Sequence, residues 1–386
     1  MRVLMLSKAC VVGAYQRKLE EIASLGVQLT VVVPPEWRDE RGVQTLERAH
    51  MNGYALIETP ILVNGNFHLH FYPRFAELVA RWKPDLVHID EEPYNLATWL
   101  ALRSAKQHGA KALFFSWQNL HRRYPPPFNW IERSVLGRAD AAIVGNADSE
   151  AVWRAKGYRG PVRVIPQFGV DPELFKPTSG RDSDGVTGGE VTSPRHPVTS
   201  SPHPFTVGYA GRLVPEKGVE ILLLAAAQAP EVQVRILGSG PEHRLLEHLI
   251  AQYGLRERAV IERPLPSTAM PEFYSRLDCL VLPSRTRPNW KEQFGRVLVE
   301  AMACGVPVVG ALCGEIPNVI GEAGLTFPEE DIETLAAHLR LLQRNAERRA
   351  QLSAAGRARV LARYTQRRIA EQTVDMYRFV MGQNAD

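Results

Sequence analysis

The sequence predicts an α/β protein of two lobes, each a parallel sheet covered by helices. Short apolar runs alternate with helical stretches along both halves of the chain, the pattern of strands joined by crossover helices. A segment rich in Ser, Thr, Gly and Pro, residues 177–204, separates the halves and has almost no apolar periodicity. The chain of 386 residues is also too long for one comfortable core, since domains usually run to roughly 100–200 residues.

In the first half, Val3–Leu6, Leu29–Val33, Leu86–Ile89, Ala112–Phe115, Ala141–Val144 and Val162–Ile165 read as strands, the later ones rich in β-branched residues. Helical periodicity runs through Tyr15–Leu25, Phe71–Arg81, Leu96–His108 and Ile131–Leu136. The first strand-to-helix turn, Ser7-Lys-Ala-Cys-Val-Val-Gly13, lacks the G-x-G-x-x-G pattern of dinucleotide binders and argues against a dehydrogenase. After the polar segment, strands are expected at Phe205–Tyr209, Val232–Leu237, Ala259–Ile261, Cys279–Leu282 and Pro307–Val309. Helices are expected at Gly218–Gln228, Glu242–Tyr253, Met270–Leu277 and Phe294–Ala303. Both lobes are thus Rossmann-like, with ligands expected at the strand C-termini and the two edges facing across a cleft. The division expected is 1–176, 177–204 as a flexible insertion, 205–366, and a last helix in 367–386.

A hydrophobic content of 45% with 23% charged residues suits a soluble globular protein. The formal charge of +4 is too small to argue for nucleic acid, and no zinc-finger, RNP-like or basic-zipper pattern is present. Arg340, Arg344, Arg348, Arg349, Arg357, Arg359, Arg363, Arg367 and Arg368 crowd the C-terminal region, as a solvated helix face or as an attraction to an anionic membrane surface. Cys10, Cys279, Cys304 and Cys313 lie in apolar contexts without metal-site spacing and read as reduced. The N-terminus reads as a first strand rather than a secretory signal, and no apolar run approaches the ~20 residues of a membrane span. A cytoplasmic protein is expected, touching the inner face of the membrane at most.

The stretch Glu292-Gln-Phe-Gly-Arg-Val-Leu-Val-Glu300, continuing Ala-Met-Ala-Cys-Gly-Val-Pro-Val-Val309, sets two carboxylates around an apolar segment. A Glu closing the run Val297-Leu298-Val299 must be paired or solvated by a ligand, because a bare buried charge costs several kcal/mol. A helix from Phe294 would separate the two carboxylates by about 12 Å, near the length of a sugar diphosphate. Its first turn, Phe294-Gly295-Arg296, would present unpaired N–H groups to phosphate near Glu292. The E-x7-E spacing with Glu-Ala-Met-Ala-x-Gly-x-Pro-Val-Val resembles the donor-site signature of retaining glycosyltransferases of family 4, which have the two-lobed GT-B fold.

The resemblance extends to Gly211-Arg-Leu-Val-Pro-Glu-Lys-Gly218, similar to the family's G-R-L-x-x-E-K-G element, and implies that Arg212 and Lys217 neutralise the donor diphosphate. Gly238-Ser-Gly-Pro241 is similar to the family's strand–G-x-G-P turn, or is one more glycine turn. Arg263 lies where family members hold the nucleotide base through backbone atoms, and Gly13 would admit an anion to the backbone. Many members carry a His after the strand corresponding to Ala112–Phe115. This chain reads Ser116-Trp-Gln-Asn-Leu-His121 there, which leaves Asn119 or His121 for the sugar contact. Trp117 either stacks on a sugar or packs in the core. Glu91 and Glu92, in Asp90-Glu-Glu-Pro93, suit acceptor binding or acid/base work, or cap a helix. Asp182-Ser-Asp184 matches a DxD spacing inside the polar segment and is taken as coincidence; no metal site is expected.

The resemblance therefore implies a metal-independent retaining transferase moving a sugar from a nucleoside-diphosphate sugar to a glycan or lipid-linked acceptor hydroxyl. Glu292 would hold sugar hydroxyls and Glu300 the ribose, and the leaving phosphate would take the acceptor proton. No cofactor beyond the nucleotide sugar is implied. The resemblance also implies that the last helix, in 367–386, returns to the first lobe. The alternatives are a nucleotide-sugar epimerase on the same fold, or a sensor with a degenerate acceptor lobe.

Overall fold

The computed structural model describes residues 1–39, 42–177 and 204–383, so the Asp182-Ser-Asp184 match lies outside the described residues. In the first half the chain forms β1 (Arg2–Leu6), α1 (Arg17–Ser24), β2 (Gln28–Val33), β3 (Glu36–Asp39), β4 (Gly42–Thr45), β5 (Ala55–Glu58), α2 (Phe75–Trp82), β6 (Leu86–Ile89), α3 (Leu96–Gln107), β7 (Lys111–Ser116), α4 (Phe128–Leu136), β8 (Ala141–Val144), α5 (Ala147–Ala155) and β9 (Val162–Val164). The second half forms β10 (Phe205–Ala210), α6 (Val219–Ala227), β11 (Val232–Leu237), α7 (His243–Gln252), β12 (Ala259–Glu262), α8 (Met270–Ser275), β13 (Cys279–Leu282), α9 (Arg296–Ala303), β14 (Val308–Ala311), α10 (Ile316–Ile320), β15 (Leu325–Phe327), α11 (Ile332–Arg344), α12 (Ala346–Arg363) and α13 (Gln366–Val380).

Two compact units result. One holds Met1–Asp171, Asn289–Phe294 and Ala362–Asp386; the other holds Pro172–Pro288 and Gly295–Leu361. The sequence reading placed residues 289–294 with the second lobe; their contacts put them in the first unit. The first unit is a parallel sheet ordered β5-β2-β1-β6-β7-β8-β9, the second a parallel sheet ordered β12-β11-β10-β13-β14-β15.

Central strands such as β6 and β8 are buried at every position, as expected of a sheet covered on both faces. In the first unit the core divides about the sheet. Leu4, Leu6, Val87 and Phe114 pack with Phe75, Val79 and Leu102 on one side. Val3, Met5, Val31 and Leu113 pack on the other with Leu19, Ile22, Ile369, Val374 and Tyr377. α13 is therefore part of that second layer, starting at Thr365, whose side chain accepts from the Arg368 N–H.

The reading missed β5, β15, α5, α10 and the β3–β4 hairpin, and gave no bounds to α11 and α12 within the Arg-rich C-terminal region. β4 is exposed throughout and α5 buries only Ser149, Val152 and Trp153, so neither carries a strong apolar period. The C-terminal arginines are largely used inside the fold. Arg340 donates to Gln228 O, Arg357 to Ala303 O, Arg359 to Asn318 O and Val319 O, and Arg367 and Arg368 pair with Glu371. All four cysteines are buried and no disulfide joins them. Among the described residues no helix is long and apolar enough to cross a membrane.

His88 Nδ1 lies 2.6 Å from Tyr377 Oη, linking β6 to α13, and burial keeps the imidazole well below its usual pKa and so neutral. Tyr377→Phe should leave that buried nitrogen unpaired and lower the stability seen in urea by about 1–3 kcal/mol. An unchanged unfolding midpoint would show that the bond carries no net stability.

Candidate active site

In the second unit, β10 runs into the loop that carries Arg212 and Lys217. Tyr209 Oη donates to Arg212 O at 2.8 Å and folds the loop back on its own strand. Pro215–Lys217 is a single 3-10 turn, and Gly218 follows in left-handed backbone at φ 61°, ψ 31°. A Cβ on Gly218 would also sit 2.3 Å from Pro283 O, so both conformation and space demand glycine. Arg212 is exposed, with Glu216 3.7 Å away, and Lys217 is half-buried.

The glycine turn after β11 belongs to the same structure. A Cβ on Gly238 would stand 2.0 Å from Gly211 O, and one on Gly240 2.2 Å from Leu213 O. Leu213 N donates to Ser239 O at 2.8 Å and Glu242 N to Leu213 O at 3.0 Å. The two loops thus touch backbone to backbone, which side chains would prevent. Arg263, just past β12, is exposed.

Arg285, which sequence reasoning passed over, supports the Lys217 turn from below. Its N–H donates to Glu216 O at 2.9 Å, while its guanidinium pairs with Glu220 and, at 3.0 Å, with Glu330. Only the juxtaposition of distant acids marks it, so no local signal would have found it.

The helix after Glu292 begins later than expected. Gly295 is its N-cap at φ 77°, ψ 53°, and Arg296 its first residue, so Phe294 and Gly295 are not helical and the 12 Å spacing argument does not apply. Glu300 is 4% exposed, and its charge is compensated inside the unit. Oε1 accepts from Arg296 Nε and Oε2 from Tyr274 Oη, each at 2.7 Å. Each oxygen keeps a lone pair for a further donor.

In the first unit, residues 289–294 are held by side chains rather than by secondary structure. Asn119 Nδ2 donates to Lys291 O and Glu292 O at 3.3 Å, Asn146 Nδ2 to Gln293 O at 2.8 Å, and Arg122 to Asn289 O at 2.6 Å. Gln293 Nε2 returns a bond to Trp117 O at 3.0 Å, and Lys291 pairs with Asp148 at 2.5 Å. Asn119 is therefore a backbone anchor for Glu292, which is itself buried at 7% exposure. His121 is exposed. The Trp117 ring covers Gly145, where a Cβ would lie 2.0 Å from it, and Nε1 donates to Gln167 at 2.9 Å, which is a packing role.

Gly13 N–H, expected to meet a phosphate, donates to Glu47 Oε2 at 2.7 Å, and Glu47 and Ala49 fill the space where its Cβ would be. The carboxylates after β6 diverge. Glu91 is buried beside Lys8 and 3.5 Å from His70; burial raises its carboxyl, but Lys8 and His70 outweigh that and hold it at about 2. Glu92 is pushed by burial up to about 7.

Asn119→Ala should free residues 289–294 while leaving the core intact. Amide hydrogen exchange in that segment should rise several-fold, the loss of two anchoring bonds corresponding to about 1 kcal/mol of local stability. Unaltered exchange there would mean that the remaining anchors suffice.

Two family descriptions match the chain: the glycosyl transferase 4-like domain over residues 12–167 and glycosyl transferases group 1 over residues 195–359. A D-inositol 3-phosphate glycosyltransferase from Stackebrandtia nassauensis is 30% identical over 319 residues, 76% of this chain and 68% of that protein. A protein of the same description from Mycobacterium marinum is 29% identical over 67% of this chain, which spans only 54% of its length. HepE from Anabaena, solved in complex with UDP, superposes with a TM-score of 0.72 at 21% identity, covering 98% of this chain and 99% of the other. The chain belongs to the group 1 glycosyltransferases of family 4 and has their GT-B fold.

Proposed function

We propose that the protein is a retaining, metal-independent glycosyltransferase that moves a sugar from a nucleoside-diphosphate sugar to an acceptor hydroxyl on a glycan or a lipid-linked molecule. The observation that carries this reading is the pair of glycine-locked loops in the second unit, which presents Arg212 and Lys217 from a rigid backbone. Breaking an anomeric C–O bond puts negative charge on the departing diphosphate, and preorganised cations stabilise that charge without rearranging as it forms. Arg212 offers a planar fork to phosphate oxygens and Lys217 a point charge. The N–H groups that open α9 add a partial positive charge beside Gly295.

In this reading Glu292 receives sugar hydroxyls, and the spare lone pairs of Glu300 receive the ribose. The leaving phosphate takes the acceptor proton. The UDP bound by the Anabaena relative supports a uridine nucleotide as the first donor to try. Four buried cysteines without a disulfide support a reducing, cytoplasmic setting.

Thermal unfolding with a panel of UDP-, GDP-, ADP- and dTDP-sugars in EDTA tests the donor site. The true donor at about 100 times its dissociation constant should stabilise the wild type by roughly 2.7 kcal/mol, and Lys217→Ala should lose most of that. A shift retained in full by the variant would remove the diphosphate from this loop, and a shift abolished by EDTA would refute metal independence. Peripheral contact with an anionic membrane is part of the same proposal on the charge of the C-terminal helices. It predicts salt-sensitive co-sedimentation with phosphatidylglycerol vesicles, and absence of binding at low salt would end it.

A further inference from the structure

Three consecutive carboxylates follow β6, and the fold occupies two of them internally. Asp90 is buried and accepts from Ser7 Oγ at 2.5 Å and Gln167 Nε2 at 3.0 Å. Glu91 is buried against Lys8, with Asn95 Nδ2 at 3.4 Å. Glu92 differs in exposure and in partners. It is half-buried, and its donors are neutral: Ser116 Oγ at 2.6 Å on one oxygen and the Trp117 N–H at 2.7 Å on the other. Those two bonds set the plane of the carboxylate and leave a lone pair on each oxygen.

Around Glu92 lies a cluster that no part of the donor chemistry uses. The half-buried rings of Tyr94 and Tyr124 are 4.4 Å apart and inclined at 34°. Tyr124 Oη donates to Gln118 Oε1 at 3.0 Å. His68 is 5.3 Å from the Tyr94 ring and 5.5 Å from the Tyr124 ring, its imidazole lowered by burial and by His70. Both tyrosine hydroxyls are raised, first by burial and then by the negative charge of Glu92, and Glu92 is linked to Tyr124 through Ser116 Oγ, which accepts from the Gln118 N–H at 3.0 Å. Gln118 is itself buried, its Nε2 donating to Leu120 O at 3.1 Å, and serves to hold Tyr124. A carboxylate, phenol hydroxyls and aromatic faces, all half-buried, are the groups that hold a polyhydroxylated molecule. Its hydroxyls find acceptors and donors, and its C–H face finds a ring.

We infer that Glu92 receives a non-reacting hydroxyl of the acceptor, and that Tyr94 and Tyr124 beside it select a neutral polyol, a sugar or cyclitol ring, as the acceptor. This rests on the transferase reading. An ionised carboxylate can only accept hydrogen bonds, so a non-reacting hydroxyl of the acceptor donates to it and orients the ring, while the reacting hydroxyl keeps its own proton for the leaving phosphate and its oxygen lone pairs for the anomeric carbon. The charges facing Glu92 are Lys8 from the end of β1 and Glu91 beside it, with Arg122 beyond the two tyrosines. Burial against these groups puts its titration at about 7, so acceptor use should switch on across neutral pH.

The experiment uses the full chain with the nucleotide sugar that stabilises it and an excess of glycerol as the hydroxyl probe, following nucleoside diphosphate release from about pH 5.5 to pH 9. The wild type should show a rising limb centred near pH 7. Glu92→Gln should lack that limb and run about tenfold or more slower above it, with its donor-induced thermal shift intact. Tyr124→Phe should raise the KM for glycerol and keep the limb. A Glu92→Gln enzyme that keeps the wild-type limb overturns the inference, as does one that loses the donor-induced shift. Failure of the transferase reading shows itself separately, as absence of any nucleotide-sugar shift in the wild type or as a shift with no nucleoside diphosphate release at any pH.

Discussion

A parallel strand covered on both faces has no place for a charge along its length, so polar chemistry is driven to the strand ends. The fully buried strands β6 and β10 obey this constraint, whereas β11, partly exposed at Arg235, carries that cation paired with Glu262. In the first unit, β6 is apolar except for His88, which is neutral and bonded to Tyr377, and the acids Asp90, Glu91 and Glu92 appear only once the strand has ended. In the second unit, β10 is fully buried, and the cations Arg212 and Lys217 follow directly after it. The fold thus concentrates ionisable groups at the edges where ligands of open α/β sheets bind.

What happens at those edges depends on how closely backbone can approach backbone. Gly211, Gly218, Gly238 and Gly240 permit contacts that a single methyl group would block, so the Arg212–Lys217 loop is supported by main-chain atoms and by the buried Tyr209 side chain. Rigidity of this kind is what electrostatic stabilisation of a developing charge requires. Residues 289–294 achieve order by a different route. Lacking regular structure, their carbonyls take donors from Asn119, Asn146 and Arg122, and Glu292 is oriented as a consequence.

Neighbouring acids illustrate how environment decides role. Glu91 and Glu92 are adjacent in sequence, yet one is held at about 2 by Lys8 and His70 and the other is pushed to about 7 by burial among neutral donors. Opposed shifts in adjacent carboxyls separate a structural ion pair from a group able to change its charge under ordinary conditions.

The sequence by itself determined the two-unit α/β architecture, because hydrophobic periodicity and glycine placement are local properties that survive without contacts. It also marked Gly211–Gly218 and the Glu292–Glu300 stretch, whose residue types are costly unless used. Tertiary structure alone decided the rest. Beside the local Arg296, the second partner of Glu300 is Tyr274, 26 positions away, and the start of α9 depended on the left-handed turn at Gly295. The partner of the Gly13 N–H is a carboxylate from residue 47, and the work of Asn119 appears only where residues 291 and 292 come within reach. Hydrogen bonds between distant residues leave no period in the chain, and for that reason the anchors of the site became visible only in the folded molecule.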